Sequence, residues 1–458
     1  MKPIDRREFM ALLGASLGAG ATATWPGTSA RAEGAAAKAE PHGRLYYSDT
    51  GRVLLEHNEE VSRWRQARKR LDVPVADPQG QAWLFVGEYD RNTTPLTVSV
   101  NGKVATVAPT GQRRDLHWEG VEVPRGALRR GANEVVVATA KDLPATWILG
   151  AEPVSTARTS ALSLDGGQTW FDRGMGVHGL TPAEYVVRLW VDNAPPAPNA
   201  TYQLLRERPD HPQLKALARH FKLADTIQGK QHTLDKVRAL STQVAMLWKV
   251  GQAPPGYGYN CPWDTFTIVS WMGAGKVQNA MRPVAYCVHF SIVMVQFCAA
   301  VGITARPVVM EEDHPQCPTG HFTCEVWVPE WSKWIYVDPD LDAVYQADGE
   351  ILSMAQLSDA CLAGWFKKVK RLEGPGCGND PRVARGTFDN FERYEGFRRW
   401  GVYPRTDFFS NPDAHPVQHG ASEYHETQFI WYADPRLARR RYHPNYTDDL
   451  KALYAEPK

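Results

Sequence analysis

The chain has 458 residues, too many for one ordinary hydrophobic core, so two or three domains are expected. Hydrophobic residues make up 43% and charged residues 22%, a composition ordinary for globular domains. Lys and Arg total 52 against 51 Asp and Glu, a balance that provides no field for nucleic acid or an acidic membrane surface, and neither is expected as a partner.

In chain order, the first segment is a targeting signal rather than part of the fold. Asp5-Arg6-Arg7-Glu8-Phe9-Met10 resembles the twin-arginine export motif, a mildly apolar stretch follows from Ala11 to Thr24, and Ala30-Arg31-Ala32 offers small residues for cleavage. The apolar run is too short and interrupted for a membrane span, which needs about 20 apolar residues. Residues 1–32 are therefore expected to be a twin-arginine signal peptide, and the mature protein periplasmic or secreted with no membrane span.

From about Arg44 to Val191 the texture is that of strands. Trp83-Leu84-Phe85-Val86, Leu96-Thr97-Val98-Ser99-Val100 and Glu134-Val135-Val136-Val137 are β-branched or aromatic runs, and Asn101-Gly102 is a hairpin signal. Short strands at this spacing predict a β-sandwich over 43–193. Val100-Asn101-Gly102-Lys103, Val123 to Leu128 and Gly131 to Val135 resemble galactose-binding-like modules. That resemblance implies a scaffold, with a glycan as a possible partner. Ser163 to Trp170 resembles a single Asp-box, in which Asp165 holds a β-turn and Trp170 packs. It is assigned no chemistry.

Ala194-Pro195-Pro196-Ala197-Pro198 reads as a stiff linker. Beyond it Leu214, Leu217, Ala218 and Phe221 share one helical face, as do Val237, Leu240, Val244, Ala245 and Trp248. Cys287, Phe290, Met294, Phe297, Cys298 and Val301 form the face of a further helix that Gly302 ends. Ile303 to Met310 then reads as a strand. Cys287 thus stands at a helix start, where unpaired N–H groups and the positive dipole end favour a thiolate nucleophile.

A thiolate needs a base. His321 precedes the alternating run Phe322 to Val328, and Trp334-Ile335-Tyr336-Val337 leads to Asp338-Pro339, with Pro329-Glu330-Trp331-Ser332 as a hairpin loop. Side chains alternate along a strand, so a four-residue loop puts His321 and Asp338 on one face as diagonal neighbours. Asp338 would then fix the imidazole while His321 takes the thiol proton.

These residues resemble the transglutaminase-like superfamily. Cys287, Phe290, Gly302, Ile303, Ala305 and Arg306 fall on its cysteine-helix motif, with Thr304 where the family has Pro. Gly320-His321 with Glu325-Val326 falls on its His strand, and Trp334, Val337, Asp338 and Pro339 on its Asp strand. Tyr286 stands where a small residue often precedes the Cys. The resemblance implies an α+β domain with a papain-like core at 200–345, a catalytic Cys287–His321–Asp338 triad and a cysteine acyl-enzyme formed from an amide. The substrate would be a protein or peptide, cell-wall peptide included, and no cofactor is expected. The oxyanion would need donors: the Cys287 backbone N–H and one of Trp271, Gln278 or Asn279. His289, near Cys287 on the same helix, is expected to pack or support the site. The alternative is a non-catalytic glycan or cell-envelope binder with a vestigial triad.

All seven cysteines lie from Cys261 to Cys377, and at most one or two disulfides are expected among them. His314-x-x-Cys317 and His321-x-x-Cys324 have zinc-ligand types, but the pairs are crowded and the triad claims His321, so no metal is expected. Residues 346–458 read as an extension packed on the catalytic domain.

Overall fold

The computed structural model describes residues 43–49, 58–74, 81–89, 95–107, 117–139, 147–248, 258–311, 320–377, 396–411 and 428–457, short of positions 155, 177–178, 180–181, 195–196, 261–262, 274–281, 286 and 439. The export segment expected at 1–32 lies outside them. The chain divides after Pro198 into two units. Ala438–Pro444, from the tail, belongs to the first unit, while Asn445–Lys458 returns to the second.

The first unit is all β. Its strands are β1 (Gly43–Tyr46), β2 (Asn58–Val61), β3 (Gln66–Val73), β4 (Ala82–Tyr89), β5 (Leu96–Val100), β6 (Lys103–Val107), β7 (His117–Glu122), β8 (Gly131–Thr139), β9 (Trp147–Pro153), β10 (Ser160–Ser163), β11 (Ala183–Tyr185) and β12 (Val187–Asp192). One sheet runs β1-β12-β4-β9-β11, with β2 on β9 and β7 on β4, and the other runs β10-β3-β8-β5-β6. Along β5, Leu96, Val98 and Val100 are buried while Thr97 and Ser99 are not. Leu84, Val86 and Leu189 of the first sheet meet Leu71, Val98 and Val137 of the second in one core, which makes the pair a sandwich. Asn101 and Gly102 both take positive φ, 49° and 83°, and close the predicted two-residue hairpin between β5 and β6.

Strand β12 breaks the alternation expected of a sandwich, because every one of its residues is buried. Its outer face carries a second cluster of Leu45, Phe85, Trp118, Val186 and Trp190. Tyr442 from the tail stacks on Trp118 at 5.1 Å, and its carbonyl accepts from Arg188 Nη1 at 2.6 Å. Arg188 is itself buried and paired with Asp49 at 2.6 Å. The Asp-box turn is as the sequence implied: Asp165 accepts from the Gln168 and Thr169 N–H groups, each at 2.9 Å, and from Thr169 Oγ1 at 2.6 Å. Trp170 lies beneath the Arg68 guanidinium at 4.5 Å.

Among the described residues Glu184 is the most heavily bonded carboxylate of this unit. It accepts from Lys69 Nζ at 2.7 Å, Thr159 Oγ1 at 2.6 Å, Ser160 Oγ at 2.8 Å and the Arg158 N–H at 2.6 Å. Burial pushes its carboxyl up, but Lys69 and the hydroxyl and amide donors outweigh that and bring it down to about 2, from an ordinary 4.5. A carboxyl depressed in the folded state contributes stability that is complete above its unfolded value and drains away as the pH falls through the folded one. Between pH 4.5 and 2 this unit should therefore lose roughly 3 kcal/mol from Glu184. Urea midpoints over that range test it. Glu184→Gln should flatten the decline, and an identical slope in the variant would refute the assignment.

The second unit opens with helices α1 (Pro212–His220), α2 (Leu223–Ile227) and α3 (Thr233–Leu247). Leu214 and Leu217 of α1, and Val237, Leu240, Val244 and Ala245 of α3, are buried on the faces read from the sequence. Then come β13 (Gly258–Asn260), α4 (Thr265–Gly273), β14 (Arg282–Val284), α5 (Cys287–Ala300), β15 (Ala305–Glu311), β16 (His321–Val328) and β17 (Lys333–Val337). β18 (Ala343–Ala347), β19 (Glu350–Ile351), α6 (Met354–Leu362), β20 (Lys370–Glu373), β21 (Arg399–Val402), β22 (Ile430–Tyr432), β23 (Tyr446–Thr447) and α7 (Leu450–Leu453) complete the unit. Its main sheet has the order β17-β16-β15-β21-β22-β23, so the tail supplies half of it. α5 packs on one face of this sheet, through Phe322, Cys324, Val326, Ile335 and Val337. The opposite face meets β18 and α6. Among the described residues no helix is long and apolar enough to cross a membrane.

Candidate functional site

Cys287 is the first residue of α5 and is half-buried, at the point where β14 hands the chain to the helix. The helix ends as the sequence required. Gly302 takes φ 77°, and the Ile303 N–H reaches back to the Cys298 carbonyl at 2.8 Å, the bond that closes a glycine-capped C-terminus. That cap uses Ile303, so β15 starts at Ala305, two residues later than the apolar pattern suggested. The sequence showed one apolar face on α5, but His289 to Cys298 are buried without exception. Ile292, Val293 and Val295 cover the remaining faces, and a helix apolar all round belongs in a core. Two polar residues on α5 fix its position. Ser291 Oγ donates to the Thr323 carbonyl on β16, and Gln296 accepts from the Thr265 N–H at 3.1 Å while donating to the Trp263 carbonyl at 3.1 Å.

His321 is the first residue of β16, and Asp338 follows the last residue of β17. Val328 pairs with Lys333, which leaves Pro329 to Ser332 as the loop, a short 3-10 turn closed by Ser332 at φ 47°. Cys324 pairs with Val337 in the same ladder, so Asp338 comes level with Thr323, and His321 is its diagonal neighbour on the same face. The imidazole Nε2 lies 2.8 Å from Asp338 Oδ2. A carboxylate only accepts, so Nε2 carries the hydrogen and Nδ1 is left for the thiol.

Asp338 is fully buried, and its two oxygens share four donors. Oδ1 accepts from the Asp340 N–H at 3.1 Å and the Leu341 N–H at 3.2 Å, and Oδ2 accepts from His321 and from Tyr336 Oη at 3.1 Å. The strand bridge to Ala343, with bonds of 2.8 and 2.9 Å, holds its backbone. Burial alone would strip the His321 proton. The Asp338 carboxylate, the hydrogen bond to it and the hydrogen bond to the Cys287 thiol outweigh burial, so the imidazole holds its proton well above the usual histidine range. The structure thus brings Cys287, His321 and Asp338 together, with an imidazole bonded on one side to a carboxylate and on the other to the thiol.

Cys298 and Cys324 are fully buried thiols pushed up by burial, and Cys361 is buried in α6. Cys377 is half-buried, and burial together with Glu373 pushes it up to about 11. These four and Cys287 are all free thiols, while Cys261 and Cys317 lie outside the described residues. His314 lies outside them too, and among the described residues no three His, Cys, Asp or Glu side chains stand as a metal cluster.

His289 is fully buried within α5. Of the donors expected for an oxyanion, Trp271 sits on α4 and is 38% exposed, and Gln278 and Asn279 lie outside the described residues. Trp248, not singled out for this role, packs against the start of α5. Trp248 is buried and stacks on Phe290, in the first turn of α5, at 4.2 Å, and its indole N–H has no partner among the described residues. Sequence reasoning placed Trp248 on a core face. The stack with Phe290 lies 42 positions along the chain, and helical periodicity does not reach that far.

Arg306, from the cysteine-helix motif, is not at the thiol. It is fully buried on β15 against Glu325 of β16, with Nη2 to Oε2 at 2.6 Å. Its other donors reach Tyr202 Oη at 2.8 Å and the Leu453 carbonyl at 2.6 Å, and Trp334 lies flat against it at 4.2 Å.

Residues 222–339 match the model of the transglutaminase-like superfamily. No curated protein matches. Among solved structures, an exo-β-1,3-galactanase from Phanerochaete chrysosporium aligns at 16% identity and TM-score 0.16, over 25% of this chain and 29% of the galactanase. A candidate cysteine protease from Cytophaga hutchinsonii aligns at 11% identity and TM-score 0.20, over 65% of this chain and 78% of that one. A candidate protease from Parabacteroides distasonis aligns at 10% identity and TM-score 0.18, over 69% and 71%. The chain is multidomain, an all-β unit followed by a domain of the transglutaminase-like superfamily at residues 222–339.

Proposed function

We propose that this chain is an exported thiol enzyme that attacks amide carbonyls of protein or peptide substrates through Cys287. One observation carries the reading: a buried imidazole hydrogen-bonded at Nε2 to a four-donor carboxylate and in contact with the thiol of a helix-opening cysteine. In the first half-reaction the Cys287 sulfur forms a bond to the carbonyl carbon, and the carbon–nitrogen bond breaks as His321 gives its proton to the leaving amine. In the second, water or another amine attacks the thioester, its proton passes to His321, and the sulfur–carbon bond breaks to regenerate the thiolate. The Cys287 N–H, free of an intrahelical partner at the helix start, faces the developing oxyanion, and the Trp248 indole is our second donor. Export rests on the Arg6-Arg7 motif and the small residues before Glu33. A cell-wall peptide is the substrate we favour for an enzyme in that compartment.

The test is alkylation with iodoacetamide followed by peptide mapping, then a screen of acyl donors with and without an amine acceptor. At neutral pH we expect Cys287 to be labelled ahead of every other thiol, the selectivity to vanish in His321→Ala, and both products of the screen to disappear in Cys287→Ala. Labelling of Cys287 no faster than Cys377 in the wild type would instead support a binding protein with an idle triad.

A further inference from the structure

We propose that Tyr336 is a positioning residue for the Cys287–His321 pair, its hydroxyl sharing Asp338 Oδ2 with the imidazole and setting how firmly that imidazole keeps its proton. The inference rests on the reading of Cys287 as nucleophile. Tyr336 stands two residues before Asp338 on β17 and is fully buried, so its hydroxyl needs a partner inside the protein. It finds Asp338 Oδ2 at 3.1 Å, the same oxygen that His321 Nε2 meets at 2.8 Å. The other oxygen is taken by two backbone N–H groups, which fix the plane of the carboxylate whatever happens at Oδ2. Tyr336 therefore does not hold Asp338 in place alone. What it adds is a donor competing with the imidazole for one oxygen's charge.

The ring of Tyr336 is held independently of that hydrogen bond. It packs edge-on against Tyr345 at 5.4 Å and Phe397 at 5.9 Å, with Thr323 beside its hydroxyl. Desolvation and the nearby Asp338 push the phenol well above its ordinary range, so it stays a neutral donor at every working pH. The other ionisable groups around the pair are Cys287 on α5, Tyr345 on β18, and Cys324 and Glu325 on β16. Glu325 is turned to Arg306, and Cys324 is a protonated thiol. None of these donates to Asp338 Oδ2 among the described contacts.

The chemistry asks two things of His321. It must hold a proton beside the thiolate, and it must release that proton to the departing amine. Asp338 with its full charge on Oδ2 would favour holding over release. The second donor at that oxygen weakens the hold.

The test needs no substrate. The rate of Cys287 alkylation by iodoacetamide is followed against pH in the wild type and in Tyr336→Phe, which keeps the ring contacts. With the hydroxyl gone, the upper inflection, where His321 gives up its proton, is expected to move to higher pH by about 0.5–1 unit, while the melting curve stays close to the wild type. Site-specific 3-fluorotyrosine at position 336, a stronger donor, is expected to move the same inflection down. Profiles for both variants that superimpose on the wild type overturn the proposal, as does a change in melting curve with no change in profile. If wild-type Cys287 shows no His321-dependent reactivity at all, the nucleophile reading itself has failed, and that outcome is distinct from either of the others.

Discussion

Asp338→Asn is expected to lower acyl transfer by about four orders of magnitude while leaving the protein folded. The fold survives because most of the carboxylate's partners accept an amide. The amide oxygen can take the Asp340 and Leu341 N–H groups, and the Tyr336 hydroxyl can turn to accept instead of donating. His321 is the partner that cannot adjust without loss. The amide NH₂ now points at Nε2, which must become an acceptor, so the hydrogen moves to Nδ1 and meets the thiol. An imidazole in that tautomer has no lone pair for the Cys287 proton and cannot form the ion pair. The same substitution should bring iodoacetamide labelling of Cys287 at neutral pH down to the rate of an ordinary thiol. A variant that kept turnover and labelling within about tenfold of the wild type would mean that Asp338 only stabilises the hairpin and plays no part in fixing the tautomer.

Much of this site was legible in the sequence because each part of it is local. The helix that opens at Cys287 follows from apolar residues at three- and four-residue steps and ends at a glycine whose φ is 77°. The pairing of His321 with Asp338 follows from the count of residues in one loop and the two-residue repeat of strands. Neither inference requires knowing what lies far away in the chain. The Asp-box turn and the Asn101-Gly102 hairpin were readable for the same reason.

What the sequence hid is non-local. Tyr336 fits an alternating strand whether or not its hydroxyl meets a carboxylate, and Ser291 looks like an ordinary small residue on an apolar helix until Thr323 arrives from β16. Trp248 read only as part of a helical core face, whereas its stack on Phe290 is set by how α3 and α5 pack. The tail was opaque for a different reason. β21, β22 and β23 have between two and four residues each, too short for any periodicity to emerge, yet they complete the sheet that carries His321. Tyr442 presents the same difficulty in the first unit. It fills an aromatic cluster built from residues more than two hundred and fifty positions earlier, and nothing near it in the chain announces that role.

Arg306→Met should destabilise the second unit by about 3–5 kcal/mol, because it leaves Glu325 charged and buried with its cation gone. The guanidinium gives Glu325 two bonds, from Nη2 at 2.6 Å and Nε at 3.1 Å, and also serves Tyr202 and the Leu453 carbonyl. After the substitution Glu325 retains the Met354 N–H at 2.8 Å and Tyr454 Oη at 2.7 Å, both neutral. Those donors do not neutralise a carboxylate with no access to water. A whole domain is stable by only about 5–15 kcal/mol, so the loss should appear as a large fall in the denaturant midpoint of this unit, with the β-sandwich transition unmoved. The pair should be strongly non-additive. Arg306→Met combined with Glu325→Leu removes both charges together, and the double variant should be more stable than the sum of the two single losses allows. A single substitution costing less than about 1 kcal/mol would show that water reaches this pair and that its burial is incomplete. Glu325 lies on the same face of β16 as His321, four residues along the strand. Below the unfolding midpoint the triad hydrogen bonds do not involve Arg306, so Cys287 labelling in folded Arg306→Met should retain its dependence on His321. Loss of that dependence in a protein still folded would place Arg306 within the catalytic support, and its position among Tyr202, Trp334 and Tyr454 argues against that.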